Sequence, residues 1–166
     1  MADMYQEFAT AVGEARVQPA AAFAALEKLA AGTVGAKLFT LMEFEFATGL
    51  GRRIYSNMPD AYPVSGRKPL PPGRWSNEVI EKKRNFVAND IEGIAEVFPD
   101  HEIIRSLGCE SVVNIPIAVG GEIVGTINCL DVAGAYTRER LAFADSLVLP
   151  GIACFLLSAL RTRTGK

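Results

Sequence analysis

The clearest pattern of hydrophobic and polar positions lies in the second half of the chain. Asp100 as an N-cap and Gly108 just after a short amphipathic segment predict a brief helix. Residues 110–119 and 122–132 are rich in Val, Ile and Thr, which favour strands. The Gly120-Gly121 pair between them can adopt the positive φ angles of a two-residue type I′ turn. This stretch therefore predicts a short helix followed by a β-hairpin.

Apolar residues recur at helical spacing near both ends of the chain. Residues 1–33 predict two helices with a break near Pro19. Thr137 is a suitable N-cap for a final helix over residues 137–163, which we expect to kink at Pro150. Residues 34–134 then carry the sheet, so the 166 residues are expected to form one domain.

The middle of the chain predicts several further elements. Residues 36–46 and 52–56 predict two strands joined by a glycine-rich turn, and residues 86–88 predict a brief third strand. A helical turn is expected over residues 91–97. Residues 58–73 hold five of the nine prolines, which predicts a loop. A loop of this length inside a compact domain is more often functional than incidental.

Trp75 follows this proline-rich loop and has two interpretations. Ser76 can cap a short helix over residues 77–84, and Trp75 would then be a hydrophobic staple in front of that cap. Alternatively, its ring is a lid over an apolar or aromatic ligand. The nearby basic residues would then suit an anionic ligand, although exposed basic residues in loops commonly serve only solubility: Arg67, Lys68 and Arg74.

The order of elements predicts an α+β domain with a mostly antiparallel sheet. Both faces of the hairpin are apolar, so both need to be covered. The terminal helices can cover one face, and the crossover over residues 58–108 can cover the other.

This order, together with LGCESVVNIPIAVGGEIVGTINCLDV and the closing helix that starts at TRERLAFAD, resembles the GAF domain family of small-molecule sensory modules. The resemblance implies a GAF-like (PAS-like) central sheet of five to six strands. It also implies a ligand pocket on one sheet face, roofed by the crossover over residues 75–108. The terminal helices would pack on the other face and often form a dimer.

The hairpin register decides which residues face that pocket. A two-residue turn places Val119 opposite Glu122, and an unbroken ladder would then separate Asn114 from Asn128. Gly125 marks close approach of a helix or a ligand, and we expect a helix. The polar ends favour the face of Asn114 as the pocket. The candidate pocket residues are Trp75, Asp90, Phe98, Glu110, Asn114, Cys129 and Asp131.

Composition narrows the function classes. The net charge of −2 shows no basic face for nucleic acid. The N-terminus lacks a signal-peptide core, and the apolar stretch over residues 147–160 is shorter than the roughly 20 residues that span a bilayer. Three cysteines without metal-type spacing suit a reducing cytoplasm. We therefore expect a cytoplasmic protein that contacts neither nucleic acid nor membrane and has no metal site.

Several alternatives stay open at this stage. Phe86 and Asp90 have the spacing of a cyclic-nucleotide signature found in some members of the family, but the Asn-Lys pair of that signature is missing. Other proteins of this fold reduce methionine sulfoxide with cysteine, and Cys109 is the plausible nucleophile here. A helix C-terminus and the neighbouring Glu110 would raise its pKa. Cys109 or His101 could also be imagined as the anchor of a bilin or a haem.

The sequence therefore predicts a non-catalytic, free-standing sensory domain that binds an unidentified small molecule, with no cofactor identified. We expect a homodimer through the terminal helices and a signal that passes to a separate output protein. The rival hypothesis is a protein-interaction module without a ligand, because apolar residues occupy almost every side of the last helix.

Overall fold

The computed structural model describes residues 2–14 and 17–164. Two helices come first, and a sheet interrupted by short helical turns fills the middle of the chain. The elements, in chain order, are α1 Ala2–Gly13, α2 Ala20–Thr33, β1 Leu38–Glu45, β2 Leu50–Ser56, β3 Arg67–Pro69, α3 Arg74–Ser76 running into a π-helical turn Asn77–Glu81, β4 Phe86–Ala88, α4 Ile91–Ala95, α5 His101–Ser106, β5 Ser111–Val119, β6 Glu122–Asp131, α6 Arg138–Leu141, a 3₁₀ turn Ala144–Leu147 and α7 Val148–Thr164.

The described strands form one antiparallel sheet of six strands in the order β3-β2-β1-β6-β5-β4. The predicted α+β class with a central sheet of five to six strands is therefore confirmed. The N-terminal and C-terminal halves of the sheet meet at β1 and β6, where Thr40 lies opposite Asn128. Residues from distant parts of the sequence thus come together at the centre of the sheet.

Two apolar layers cover the two faces of the sheet. One layer joins β-strand residues such as Phe39 and Ile127 to the terminal helices through Leu26 and Phe155. The other layer packs sheet residues against Trp75, Phe98 and the rest of the crossover. The predicted arrangement, with terminal helices on one face and the crossover on the other, is confirmed.

The hairpin has the predicted turn but not the predicted register. Gly120 and Gly121 adopt φ angles of 61° and 90°, and Val119 lies opposite Glu122. A β-bulge then leaves Val124 without a partner, because Ala118 pairs with Ile123 and Ile117 with Gly125. This shift of one residue turns the rest of β6 over relative to β5. The prediction that Asn114 and Asn128 lie on different faces is therefore wrong, since they lie directly opposite each other.

The last helical segment is interrupted earlier than predicted. The break lies at the 3₁₀ turn Ala144–Leu147, and Pro150 is the third residue of α7, where the first turn does not need its missing N–H. The stretch Arg138–Thr162 is long enough to cross a membrane, and an 18-residue window within it has a mean hydropathy of 1.9. Inside the domain, 39% of that window is buried. The core helix of a soluble protein can be equally long and apolar, so the stretch is weak support for a membrane segment.

Two further details of the crossover differ from the prediction. The proline-rich loop contains the edge strand β3, which pairs with β2 through Pro69, Lys68 and Arg67. An edge strand tolerates proline because one side of the ladder carries no partner. The helix after the loop begins at Arg74, and Ser76 lies inside it with its hydroxyl donating to the Gly73 carbonyl. Trp75 is therefore a helical residue and not a staple in front of a Ser76 cap.

Candidate ligand cavity

A cavity of about 60 Å³ lies between the sheet and the crossover. By volume, it can hold about four to six water-sized groups. Sheet residues form its floor, and crossover residues form its roof and one wall. The apolar part of the lining includes Leu38, Met42, Phe44, Trp75, Phe98, Val112 and Leu130.

A chain of buried polar side chains crosses the cavity floor. Trp75 Nε1 donates to Asn114 Oδ1 at 3.0 Å, and Asn114 Nδ2 donates to Asn128 Oδ1 at 2.7 Å. Asn128 Nδ2 donates in turn to Thr40 Oγ1 at 3.1 Å. Two buried asparagines are expected to need hydrogen-bond partners, and here Asn114 and Asn128 bond to each other. The Thr40 hydroxyl accepts in this chain and keeps its own proton as a donor.

A second cluster of polar side chains, which includes charged residues, forms one wall of the cavity. The guanidinium carbon of Arg53 lies 4.6 Å from the centre of the Tyr62 ring, and Arg53 Nη1 donates to the Pro63 carbonyl at 3.0 Å. Tyr62 donates its phenolic proton to Asp100 Oδ2 at 2.9 Å. Lys68 Nζ lies 3.6 Å from the same oxygen. Four residues from β2, the loop, β3 and the start of α5 therefore form one network.

Two atoms of this network are buried and have no hydrogen-bond partner within residues 2–14 and 17–164, namely Arg53 Nε and Asp100 Oδ1. Such groups are rare in folded proteins, and each costs about 1 to 3 kcal/mol when it stays unpaired. Both residues line the cavity. The wall of the cavity therefore contains one buried donor and one buried acceptor that no described residue pairs.

Burial shifts the protonation equilibria of this wall. Burial lowers the pKa of Arg53, while Tyr62 and Asp100 oppose that shift, and a guanidinium stays charged. Burial raises the pKa of Tyr62, with Asp100 adding to the effect, so the phenol stays a neutral donor. Burial also lowers the pKa of Lys68, which Asp100 counteracts. The Lys68 side chain is still 36% exposed, and we treat it as protonated at neutral pH.

The structure brings together only part of the predicted pocket. Trp75, Phe98 and Asn114 line the cavity. Cys129 lies on the other face, opposite Val113 and inside the layer under the terminal helices. The prediction that Cys129 shares a face with Asn114 is wrong because the bulge turns β6 over.

The predicted acidic residues have other structural roles. Asp90 is exposed and caps α4 by accepting from Gly93 N at 2.7 Å. Asp131 pairs with Arg140 at 3.2 Å, outside the cavity. Glu110 precedes β5, and its backbone N–H donates to the Asp131 carbonyl at 2.8 Å. The polar end of the hairpin is thus not the mouth of the cavity.

The thiols and the metal-ligating residues do not define a second site. Cys109, Cys129 and Cys154 are all buried, and burial raises the pKa of the Cys129 and Cys154 thiols to about 12. Burial also raises the pKa of Cys109, which Lys37 opposes. Across the described residues, His, Cys, Asp and Glu form no group of three or more placed to hold a metal ion.

Solved structures show which fold this architecture shares. The GAF domain of a phosphoenolpyruvate-protein phosphotransferase from Coxiella burnetii is 16% identical, with a TM-score of 0.68 over 99% of this chain and 95% of that chain. The phycocyanobilin-bound GAF domain of a cyanobacterial phytochrome is 12% identical, with a TM-score of 0.68 over 95% of this chain and 93% of that one. The GAF domain of a two-component sensor histidine kinase from Bacillus halodurans is 12% identical, with a TM-score of 0.62 over 82% and 92%. The fold is therefore that of a GAF domain.

The sequence itself gives the family. The profile of the GAF domain matches residues 6–149, which include the sheet, the crossover and α2, and which end two residues into α7. A search of curated proteins gave no match. The chain belongs to the GAF domain family.

Proposed function

We propose that this chain is a non-catalytic regulatory domain that binds a small molecule in the cavity between the sheet and the crossover. The observation that carries this proposal is the pair of buried, unpaired atoms on the cavity wall, Arg53 Nε and Asp100 Oδ1. A folded protein rarely leaves both a donor and an acceptor unused in one enclosed space. A ligand in the cavity would supply a partner for at least one of these two atoms and gain apolar contact with Trp75.

Strand β6 links the cavity to the terminal helices, so ligand binding can change how these helices pack. Asn128 faces the cavity, while its strand neighbours Ile127 and Cys129 pack under the terminal helices. Gly125 in the same strand lies against Phe155 of α7, where an added Cβ would stand 2.6 Å from the ring. A ligand that moves β6 therefore moves the surface on which α7 rests. The mechanism is a shift in population between two packings of these helices.

Self-association through the terminal helices is part of the proposal. Leu149 and Leu156 of α7 are 75% and 46% exposed. Exposed leucines of this kind commonly mark an interface. We expect sedimentation equilibrium to show a dimer for the unaltered protein and a monomer for Leu149→Glu combined with Leu156→Glu. An unchanged mass for that variant would contradict this interface.

Transfer of the signal to an output module and a cytoplasmic setting complete the proposal. The GAF domain of similar fold from Bacillus halodurans belongs to a sensor histidine kinase, which supports a role in signal transfer. Three buried free thiols are compatible with a reducing compartment. The buried thiols also argue against a cysteine nucleophile, which needs exposure and a lowered pKa.

The test of ligand binding is mass spectrometry of the purified protein under native and denaturing conditions. We expect a small molecule to be released on denaturation, or a ligand library to raise the melting temperature. Val112 is 1% exposed and lines the cavity, so Val112→Phe should fill the cavity and abolish binding. Ile103→Phe adds a ring at a residue that is 49% exposed and serves as the control.

The rival hypothesis, a protein-interaction module without a ligand, predicts the opposite results. A stable dimer that releases no molecule and gains no thermal stability from any ligand would contradict the proposed pocket function. Turnover of methionine sulfoxide that Cys109→Ser abolishes would contradict the non-catalytic assignment.

A further inference from the structure

We propose that the ligand of this cavity is a small organic monocarboxylate whose carboxylate accepts a hydrogen bond from Arg53 Nε. The inference rests on the proposed binding function and adds the chemical class of the ligand. It starts from the charges that line the cavity and from a guanidinium nitrogen, Arg53 Nε, that is buried without a partner among the described residues.

The charge balance of the cavity wall favours an anion. The charged lining residues are Arg53, Lys68 and Asp100, so two cations face one carboxylate. Asp100 is already shared, because Oδ2 accepts from Tyr62 and lies 3.6 Å from Lys68 Nζ. Arg53 instead contacts a neutral ring and a backbone carbonyl. Asp100 also supports the charge of Arg53, but one carboxylate does not balance two cations. The lining therefore keeps one net positive charge, which a single negative charge on the ligand would balance.

Because Arg53 is buried, a guanidinium without a full counter-charge is energetically unfavourable. Arg53 is 7% exposed, and its Nε is shielded from solvent without a partner among the described residues. A buried charge without a partner is strongly unfavourable, whereas a charge-assisted hydrogen bond is about twice as strong as a neutral one. A carboxylate at Nε therefore relieves both the unpaired charge and the unpaired donor.

The same wall limits the ligand to one negative charge. Asp100 Oδ1 is a buried acceptor without a partner in the described chain, and it would repel a second carboxylate placed beside the first. A phosphate dianion would exceed the single charge in excess. The volume of about 60 Å³ also favours a small body over a nucleotide or a tetrapyrrole.

The rest of the lining describes the body of the ligand. Leu38, Met42 and Leu130 form an apolar floor, and Trp75 forms an apolar roof. An aliphatic group of a few carbon atoms fits such a lining and the volume of the cavity. The Thr40 hydroxyl supplies one further donor at the edge of the floor.

The experiment compares matched ligands on the full chain. Acetate, propanoate and butanoate are titrated calorimetrically against acetamide, propanamide and butanamide, which have the same shape without the charge. At least one carboxylate should bind about tenfold or more tightly than its amide, because a hydrogen bond to a charged group is worth about 1.5 to 3 kcal/mol. Arg53→Gln should remove this preference.

Arg52→Gln is the matched control, since Arg52 is the neighbouring residue of β2 and pairs with Glu43. It should keep the affinity for the carboxylate within about twofold, because a surface ion pair contributes little. Arg53→Lys keeps the charge without Nε and should bind more weakly but still prefer the carboxylate. The comparison of carboxylate with amide on the unaltered protein decides the point even where a variant fails to fold.

The two proposals can fail separately. Amides that bind as tightly as the acids, or a bound molecule without a carboxylate released from the purified protein, would overturn the monocarboxylate and leave the binding function intact. Absence of binding by all six compounds, together with absence of any released molecule, would overturn the binding function as well.

Discussion

Trp75 Nε1 donates a hydrogen bond of 3.0 Å to Asn114 Oδ1, and both residues are buried. The bond ties the helix α3 of the crossover to the strand β5 of the sheet. Asn114 passes the connection through Asn128 to Thr40, so one chain of hydrogen bonds links the roof of the cavity to β1. The roof and the floor are therefore coupled by polar contacts as well as by apolar packing.

The first prediction concerns this coupling. Trp75→Phe keeps an aromatic ring but leaves Asn114 Oδ1 without its donor, so we expect a loss of about 1 to 3 kcal/mol in the free energy of unfolding. Urea denaturation followed by circular dichroism measures it. Trp75→Ala also removes the ring and should cost about 3 to 5 kcal/mol. Equal stability of Trp75→Phe and the unaltered protein would contradict the role of the bond.

The second prediction tests the packing of α7 on β6. An added Cβ at Gly125 would stand 2.1 Å from the Met42 carbonyl oxygen and 2.6 Å from the Phe155 ring. Gly125→Ala should therefore destabilise the fold by about 1 to 3 kcal/mol, the usual cost of overpacking. Thermal unfolding gives the value.

Gly13 provides the matched control for this substitution. A Cβ there meets nothing within 4 Å, and the residue lies at the end of α1. Gly13→Ala should be neutral or stabilise by up to about 1 kcal/mol. Similar losses for both variants would show that Gly125 does not mark a close approach.

The third prediction concerns stability in alkali. Burial raises the pKa of the Cys129 and Cys154 thiols from 9.0 to about 12, so the folded protein holds these protons more tightly than the unfolded chain. Stability from these groups is complete below pH 9 and falls as the pH rises toward 12. Between pH 8 and pH 10 each thiol should account for a loss of about 1.4 kcal/mol.

Urea unfolding at the two pH values measures this slope. Cys129→Ala combined with Cys154→Ala should lose less stability over the same interval, although it starts from a lower value because of the cavities created. Cys129 also raises the pKa of Tyr136, so removing Cys129 reduces the loss of stability from that phenol in the same direction. Equal slopes would contradict the raised thiol pKa values.

The fourth prediction concerns thiol reactivity. Cys109, Cys129 and Cys154 are each 0% exposed. We expect no reaction with Ellman's reagent in the folded protein at pH 8 and release of three equivalents in urea. Cys109→Ser should lower the urea value to two. Rapid reaction of Cys109 in the folded state would reopen the case for thiol chemistry.

Apart from β3, the sequence was sufficient for the main elements and for the two layers, because glycine turns, caps and apolar spacing are local signals. Gly120, Gly121 and Gly108 mark their turns in the structure as predicted. The bulge at Val124 was not foreseen, since both hairpin faces are apolar and no alternation with polar residues fixes the register. Gly125 inside a strand was the available signal, because such glycines often accompany a bulge.

The charged wall of the cavity was largely missed for a different reason. Arg53 follows Arg52 after a glycine turn, a pattern typical of a solvated strand end. Its burial depends on the loop that folds back over it, where Ser65 N donates to the Arg53 carbonyl at 2.7 Å. Tyr62 and Asp100 are separated by 38 residues, so their hydrogen bond exists only in the tertiary structure.

The strand β3 makes one wall of the cavity able to open faster than the rest of the sheet. It holds the loop to the sheet through pairs at Pro69, Lys68 and Arg67, and Pro69 has no N–H to donate. So short a ladder at a sheet edge opens by local unfolding far more cheaply than the central strands do. We expect a molecule bound beneath it to leave through this edge, so that its residence time would report the opening rate of β3.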